Sequence, residues 1–314
     1  MQEGNLFRYD KKSQEYVNIS PKPEAGEPPL RFNWDSPVLI SPHSHTCIYY
    51  ASQYLWRSED RGDSWTKISP DLTRGIFRLE QPIMGKTWSV DALWDQGAMS
   101  MFGTVTAISE SPLQEGLIYV GTDDGLIQVT EDGGKTWRRV EKITGLPDYF
   151  FVNRIRASKH DKDTVFAAVD SHKAGDYKPY IMMSTDRGKT WANIGAGLPE
   201  RAVVWSVAQD NVKKDLLFAG TELGIYATVF RERILHSRRL FTPPGNQRPN
   251  SGKRGGLISR QEGHALHPTK ASSGQGQSVS GRCILPCSEP AVRRRLHVLS
   301  QGIVENQRGG AARR

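Results

Sequence analysis

The chain has 314 residues and a formal net charge of +8, with 37% hydrophobic and 24% charged residues. The charge is uneven: residues 230–314 contain 14 Arg, 2 Lys, 4 Glu and no Asp, a net of +12, which leaves about −4 for residues 1–229. The basic balance therefore belongs to the C-terminal segment and does not indicate specific nucleic-acid binding by the rest of the chain. No apolar run reaches the roughly 20 residues that a membrane-spanning helix needs, and three cysteines do not indicate a disulfide framework.

The first predicted elements are two short strands joined by a polar turn, at residues 4–10 and 16–19. They resemble the last two strands of a four-stranded unit, called a blade below, so residues 1–20 are predicted to be a partial blade. Three complete units are then predicted at about residues 32–68, 86–140 and 150–194, because each contains four short segments rich in β-branched and aromatic residues.

Each complete unit contains the same eight-residue phrase, Ser/Thr-x-Asp-x-Gly-x-Ser/Thr-Trp, between its third and fourth predicted strands. The fixed positions are Ser58, Asp60, Gly62 and Trp65, then Thr130, Asp132, Gly134 and Trp137, then Ser184, Asp186, Gly188 and Trp191. The Asp and Gly suit a hairpin turn, the Asp by accepting turn N–H groups and the Gly by adopting positive φ. The Trp provides a large apolar plug. We therefore predict a structural role for these residues, and repeated four-stranded units predict an all-β fold, a β-propeller.

A fourth unit begins at about residue 202, but the phrase does not follow it, so residues 202–229 are predicted to be a partial blade. Three complete and two partial blades fall short of a closed ring of about 4–8 blades, and we expect the N-terminus to be truncated. Residues 230–314 lack Trp, Asp and strand periodicity, which predicts a disordered basic tail. Two origins remain open, a frame-shifted translation and a genuine tail that binds polyanions. Cys283 and Cys287 there form only a weak zinc pattern, and no metal or other cofactor is predicted.

The phrases and their surrounding pattern resemble the BNR/Asp-box repeat propellers over about residues 1–229, in particular bacterial glycosyl-hydrolase-like and sortilin N-terminal-like proteins. This resemblance is specific for the fold and unspecific for activity. It implies a module that binds a protein, a peptide or a carbohydrate on one propeller face. We expect no activity in this fragment, because an incomplete ring would not hold a catalytic site together. The alternative is a glycoside hydrolase that acts on a polysaccharide through a carboxylate pair. The resemblance also implies an extracellular or periplasmic location for the full-length parent, although residues 1–5 are no signal peptide.

The resemblance further implies that the active face is the end opposite the boxes, where the strand 2–3 turns and the connections between blades meet. On that end the catalytic candidates are Asp91, Asp95, Asp123 and Asp124. The substrate-binding candidates are Trp88, Trp94, Asp170, His172, Asp176 and Glu222.

Each of these candidates has a structural alternative. The connection 70–103 is longer than most loops, and its Trp and Asp residues suit a sugar-binding cleft, but its indoles would equally fill space beneath a long loop. Asp123-Asp124-Gly125 is also ordinary hairpin-turn chemistry. Asp170, His172 and Asp176 could bind a metal or move protons, or form a solvated polar loop. Sialidase activity is not expected, because Arg154 and Arg156 do not complete an arginine triad.

Overall fold

Antiparallel strands make up most of the regular structure. The computed structural model describes residues 4–76, 78–81, 86–89, 101–231 and 234–241. Within those residues the strands form one two-stranded sheet and four four-stranded sheets. This arrangement confirms the all-β propeller fold predicted from the repeated units.

The sheets are numbered here in chain order. Sheet 1 contains β1 (Phe7–Tyr9) and β2 (Tyr16–Asn18). Sheet 2 contains β3 (Val38–Ile40), β4 (Ile48–Ala51), β5 (Leu55–Ser58) and β6 (Thr66–Lys67). Sheet 3 contains β7 (Val105–Glu110), β8 (Ile118–Thr122), β9 (Ile127–Thr130) and β10 (Arg138–Val140). Sheet 4 contains β11 (Phe151–Ala157), β12 (Val165–Ser171), β13 (Asp176–Ser184) and β14 (Ala192–Asn193). Sheet 5 contains β15 (Val204–Gln209), β16 (Leu216–Thr221), β17 (Gly224–Arg231) and β18 (Ile234–Phe241). Short 3-10 turns lie at Arg78–Glu80 and His172–Ala174.

Apolar side chains fill the junctions between consecutive sheets. Every residue of β8 and β12 is buried, because a neighbouring sheet covers each face of these second strands. At one junction Ile127 of sheet 3 joins Ile155 of sheet 4 in a single cluster. At the next, Ile181 of sheet 4 joins Val207 of sheet 5. Burying one such side chain contributes about 1.5–3 kcal/mol, so the sheets stabilise one another by stacking.

The repeated phrases form the predicted turns between strands three and four. In the first box, the amide and hydroxyl of Ser64 donate to the two carboxylate oxygens of Asp60, at 2.8 and 2.6 Å. The hydroxyl of Ser58 donates to Asp60 Oδ1 at 2.8 Å and accepts the amide of Gly62 at 2.7 Å. The other two boxes repeat these bonds. Each box Asp therefore accepts hydrogen bonds that close its own turn.

Each box also touches neighbouring structure. The indole N–H of Trp65 donates to the carbonyl of Ile19 at 2.6 Å, and that of Trp137 donates to the carbonyl of Ile68 at 3.2 Å. Both carbonyls directly follow the last strand of the preceding sheet. Gly134 adopts φ +101°, and a Cβ there would lie 2.5 Å from the oxygen of Ile68. These contacts join the boxes to the preceding sheets, and the structural role of the box residues stays a prediction.

Sheet 5 lacks a box and is nevertheless completed by a fourth strand. Strand β17 continues to Arg231 and pairs along its length with β18. The sequence analysis did not predict β18, because residues 234–241 lie beyond the last unit that follows the repeat pattern. The placement of the domain boundary at residue 229 stays a prediction.

Candidate ligand-binding site

The boxes and the strand 1–2 loops lie at the same end of their sheets. The amide of Arg61 donates to the carbonyl of Thr46, and the amide of Arg187 donates to the carbonyl of Asp163, at 3.0 and 2.8 Å. In each pair the first residue belongs to a box and the second to a strand 1–2 loop. The opposite end of the sheets therefore carries the strand 2–3 turns, where Asp123, Asp124 and Asp170 lie.

A cavity of about 420 Å³ opens at this opposite end. It lies beside the β8–β9 turn, the end of β12 and the connections that precede β7 and β11. The lining residues are Arg78, Gln81, Met101, Phe102, Asp123, Tyr149, Phe150, Phe151, Asp170, Ser171, Lys173 and Ala174. Aromatic side chains, two carboxylates and two cations thus meet in one concave surface.

Asp123 is held in place by the start of strand β7. The amide of Thr104 donates to one carboxylate oxygen at 2.8 Å, and the hydroxyl of Thr104 donates to the other at 2.7 Å. The side-chain amide of Asn33 donates to the same hydroxyl at 3.0 Å. Burial raises the pKa of Asp123 to about 7, because the cost of removing the charge from water exceeds the benefit of the two hydrogen bonds.

Asp124 is fully buried beside Asp123 and fixes the connection that leaves sheet 2. It accepts the hydroxyl of Thr122 at 2.6 Å and the amide of Arg74 at 2.7 Å. The guanidinium of Arg74 donates to the main-chain oxygen of Asp124 at 2.7 Å and lies 5.3 Å from the ring centre of Tyr149. Burial also raises the pKa of Asp124. These bonds give Asp124 a role in holding the turn and the connection together.

Both carboxylate oxygens of Asp170 have hydrogen-bond partners. Its side chain is buried, and one carboxylate oxygen accepts the side-chain amide of Asn153 at 2.6 Å. The other oxygen lies 2.5 Å from Nδ1 of His172 and accepts the amide of His172 at 3.1 Å. The imidazole of His172 lies edge-on to the indole of Trp205, with ring centres 5.4 Å apart. Asp170 therefore orients the imidazole of His172 next to the end of β12.

The other candidates within the described residues, Asp124 and His172 included, are not among the residues that line this cavity. Asp176 accepts the hydroxyl of Tyr180 at 2.6 Å and closes the start of strand β13. Glu222 is exposed in the β16–β17 turn. Trp88 is half-buried, with the ammonium of Lys86 4.2 Å from its ring centre. Asp91, Trp94 and Asp95 lie outside the described residues.

The sequence analysis did not single out the aromatic and cationic residues that line the cavity. Arg78 and Phe102 lie in the connection before β7, and Tyr149 lies in the connection before β11. Lys173 lies in the 3-10 turn after β12. The expectation that inter-blade connections meet at this end pointed to these segments, but no residue pattern marked which of their side chains line the cavity.

Neither a metal cluster nor a spanning helix occurs in the part of the chain that the structure describes. There, no three His, Cys, Asp or Glu side chains are grouped so as to hold a metal ion. No helix there is long and apolar enough to cross a membrane.

The box turns and the stacked four-stranded sheets define a β-propeller of the BNR/Asp-box class. The family model Sortilin-Vps10, described as "Sortilin, neurotensin receptor 3", matches residues 53–243. This match covers more than half of the chain, and the chain belongs to that family. The search of curated proteins found no match.

Solved structures with a similar fold include three of low sequence identity. An ancestral GH74 enzyme is 16% identical with a TM-score of 0.43, and the match covers 64% of this chain and 23% of that one. The GH74 xyloglucanase from Xanthomonas campestris is 16% identical with a TM-score of 0.35, covering 61% and 36%. The extracellular domain of a one component system from B. thetaiotaomicron is 15% identical with a TM-score of 0.46, covering 76% and 25%. The chain thus spans about a quarter to a third of the length of these proteins.

Proposed function

We propose that this propeller module binds a peptide segment of a partner protein in the cavity opposite the boxes. The observation that carries the proposal is that the cavity carboxylates are already engaged by the protein. Asp123 accepts two bonds from Thr104, and Asp170 accepts bonds from Asn153 and His172. Carboxylates fixed by the protein's own hydrogen bonds form a rigid wall of a binding site. A glycoside hydrolase instead needs two carboxylates that are free to face the scissile bond.

The aromatic residues of the cavity favour a peptide over a glycan. The guanidinium of Arg74 lies over the ring of Tyr149, and the ammonium of Lys173 lies 4.9 Å from the ring centre of Phe151. A cation therefore occupies one face of each ring, where a pyranose would otherwise stack. The edges of these rings, together with the exposed side chain of Met101, leave an apolar surface bordered by charges. Such a surface suits a peptide that presents one apolar side chain and hydrogen-bonding backbone groups.

The proposal is tested by presenting the full chain to a peptide array and to a glycan array. The informative variant is Tyr149→Ala, because this side chain is 54% exposed in the cavity and can be removed without emptying a core. We expect Tyr149→Ala to weaken binding of selected peptides by about tenfold or more, as truncation of an aromatic anchor does. Leu113→Ala is the matched control, since Leu113 is 50% exposed in the β7–β8 loop at the box end. Binding to glycans alone, or equal losses in the two variants, would contradict the proposal.

Glycoside hydrolysis is the second candidate, and one observation favours it. Asp123 and Asp170 line the same cavity, and the raised pKa of Asp123, about 7, suits a general acid that is protonated near neutral pH. If Asp123 has this role, release of reducing ends from a panel of polysaccharides falls as the pH rises through about 7. Asp123→Asn then abolishes the release, whereas Asp176→Asn preserves it. A panel without any release removes this candidate.

A further inference from the structure

The charged groups that line the cavity differ in how far the protein itself neutralises them. The carboxylate of Asp170 accepts the side-chain amide of Asn153 at 2.6 Å and the amide of His172 at 3.1 Å. The ammonium of exposed Lys173 instead lies over an aromatic ring, 4.9 Å from the ring centre of Phe151. Among the described residues, no carboxylate lies within ion-pair distance of this ammonium. Lys173 is therefore a cation of the cavity that is open to an acidic group of a ligand.

The charge of Asp123 decides how strongly positive the cavity is. Burial raises the pKa of Asp123 to about 7, the neighbouring carboxylate of Asp124 raises it further, and two hydrogen bonds and the ammonium of Lys173 lower it. The electrostatic effect of Lys173 thus extends to Asp123, and both residues line the cavity. The other charged lining residues are Arg78 and Asp170. When Asp123 carries a proton, two cations face a single carboxylate, and this excess of positive charge suits an acidic ligand.

We propose that the bound peptide places an acidic side chain against Lys173 and that its binding is accompanied by uptake of a proton on Asp123. This inference rests on the proposed function and names the chemistry of the ligand. Two carboxylates that share one site cannot both ionise easily, so the peptide carboxylate favours the protonated form of Asp123. Ala174 and Gly175 follow Lys173 in an exposed turn and add little bulk. The peptide chain can therefore continue past the ammonium, as contact through a side chain requires.

The direction of the pH dependence follows from the linkage between the proton and the peptide. The acidic peptide raises the pKa of Asp123 above its value in the free protein, about 7. The affinity is therefore highest below about pH 7 and falls as the pH rises from there to the raised pKa of the complex. A rise of one pKa unit in the complex corresponds to about a tenfold difference in affinity between the two limits. It also corresponds to uptake of about half a proton per peptide near pH 7.5.

The test is isothermal titration calorimetry of the full chain at about pH 6, 7.5 and 9. The probes are acidic peptides selected on the peptide array, without His and with acetylated N-termini, and counterparts in which Asn or Gln replaces each Asp or Glu. We expect the acidic peptides to bind about tenfold more weakly at the highest pH than at the lowest. At the intermediate pH, titrations in phosphate and in Tris should give different heats, because these buffers release the proton with different enthalpies. The counterparts should bind more weakly at low pH and without proton uptake.

Substitutions then assign the two effects to particular side chains. Asp123→Asn should make the affinity for acidic peptides independent of pH and abolish proton uptake. Lys173→Gln should weaken the binding of acidic peptides at low pH by about tenfold. Lys178→Gln is the matched control, because Lys178 is exposed in strand β13 and is not a lining residue. His172→Gln should retain the pH dependence, since the proton is taken up by Asp123 and not by the imidazole.

The outcomes separate this inference from the proposed function. Peptides that bind without a preference for acidic side chains, or with the same affinity and no proton uptake at every pH, contradict the inference and leave the proposed function standing. If no peptide binds at any pH, both are wrong. A loss of binding on amidation of the peptide C-terminus, with none on replacement of Asp or Glu, would assign the contact to the terminal carboxylate and contradict the inference. Circular dichroism verifies that each variant is folded, and the wild-type titrations alone decide if Asp123→Asn is not.

Discussion

The Asp residues of the boxes and the Asp pair of the β8–β9 turn have pKa values shifted in opposite directions, although all lie in hairpin turns. At the box end, the hydroxyl and amide of Ser64 hold the pKa of Asp60 at about 2. The hydroxyl and amide of Thr136 likewise hold the pKa of Asp132 well below its usual range. At the other end, burial raises the pKa of Asp123 to about 7. Turns of similar composition thus serve two purposes, closing a repeated hairpin at one end and building a partly dehydrated cavity at the other.

The largest difference between the two ends should be in the free energy of unfolding, when a glycine of a box is replaced. Gly134→Ala introduces a Cβ that would lie 2.5 Å from the oxygen of Ile68, at a residue with φ +101°. We expect the free energy of unfolding to fall by about 3 kcal/mol, since steric overlap with backbone adds to the strain of positive φ. Urea denaturation measures this change.

Gly145→Ala is the matched control for the steric part of that effect. Gly145 adopts φ +88°, and a Cβ there would meet nothing within 4 Å. Its cost should be limited to the conformational strain, about 1–2 kcal/mol. Equal losses in the two variants would show that contact with the preceding sheet contributes nothing to the box.

The next effect concerns the pH dependence of stability at the cavity. The pKa of Asp123 is raised in the folded state, so the folded protein binds this proton more tightly than the unfolded chain does. The free energy of unfolding should therefore fall as the pH rises from about 4 to about 7, by roughly a few kcal/mol, and then level off. Asp123→Asn should remove this slope while retaining a group that fills the same space. Denaturation curves at intervals between pH 4 and pH 8 measure it, and an unchanged slope in the variant would assign the dependence to another group.

The contrast between the two ends also explains how much of the fold and of the candidate site could be predicted from the sequence. Each box closes its own turn within eight residues, so local chemistry alone was enough to predict the turns that contain Asp60, Asp132 and Asp186. The cavity joins residues far apart in sequence, such as Arg74 with Asp124 and Asn153 with Asp170. The turn residues could be selected by their position at the ends of strands. Tyr149 and Lys173 could not, because their inward placement depends on packing between sheets.

The smallest effect lies in the acid range and belongs to the boxes. The folded pKa of Asp132 is lowered, so its ionised form stabilises the protein above about pH 4, and that contribution disappears as the pH falls from there through the lowered folded pKa. Asp132→Asn should lower the urea midpoint at pH 7 and flatten the loss of stability between pH 4 and pH 2. Asp35→Asn, at an exposed position outside the boxes, is the control and should leave both unchanged. Since the three boxes share one bonding pattern, replacing all three Asp should enlarge the effect without altering the slope between pH 4 and pH 7 that belongs to Asp123. A changed slope between pH 4 and pH 7 in the triple variant would mean that the carboxylates at the two ends do not titrate independently.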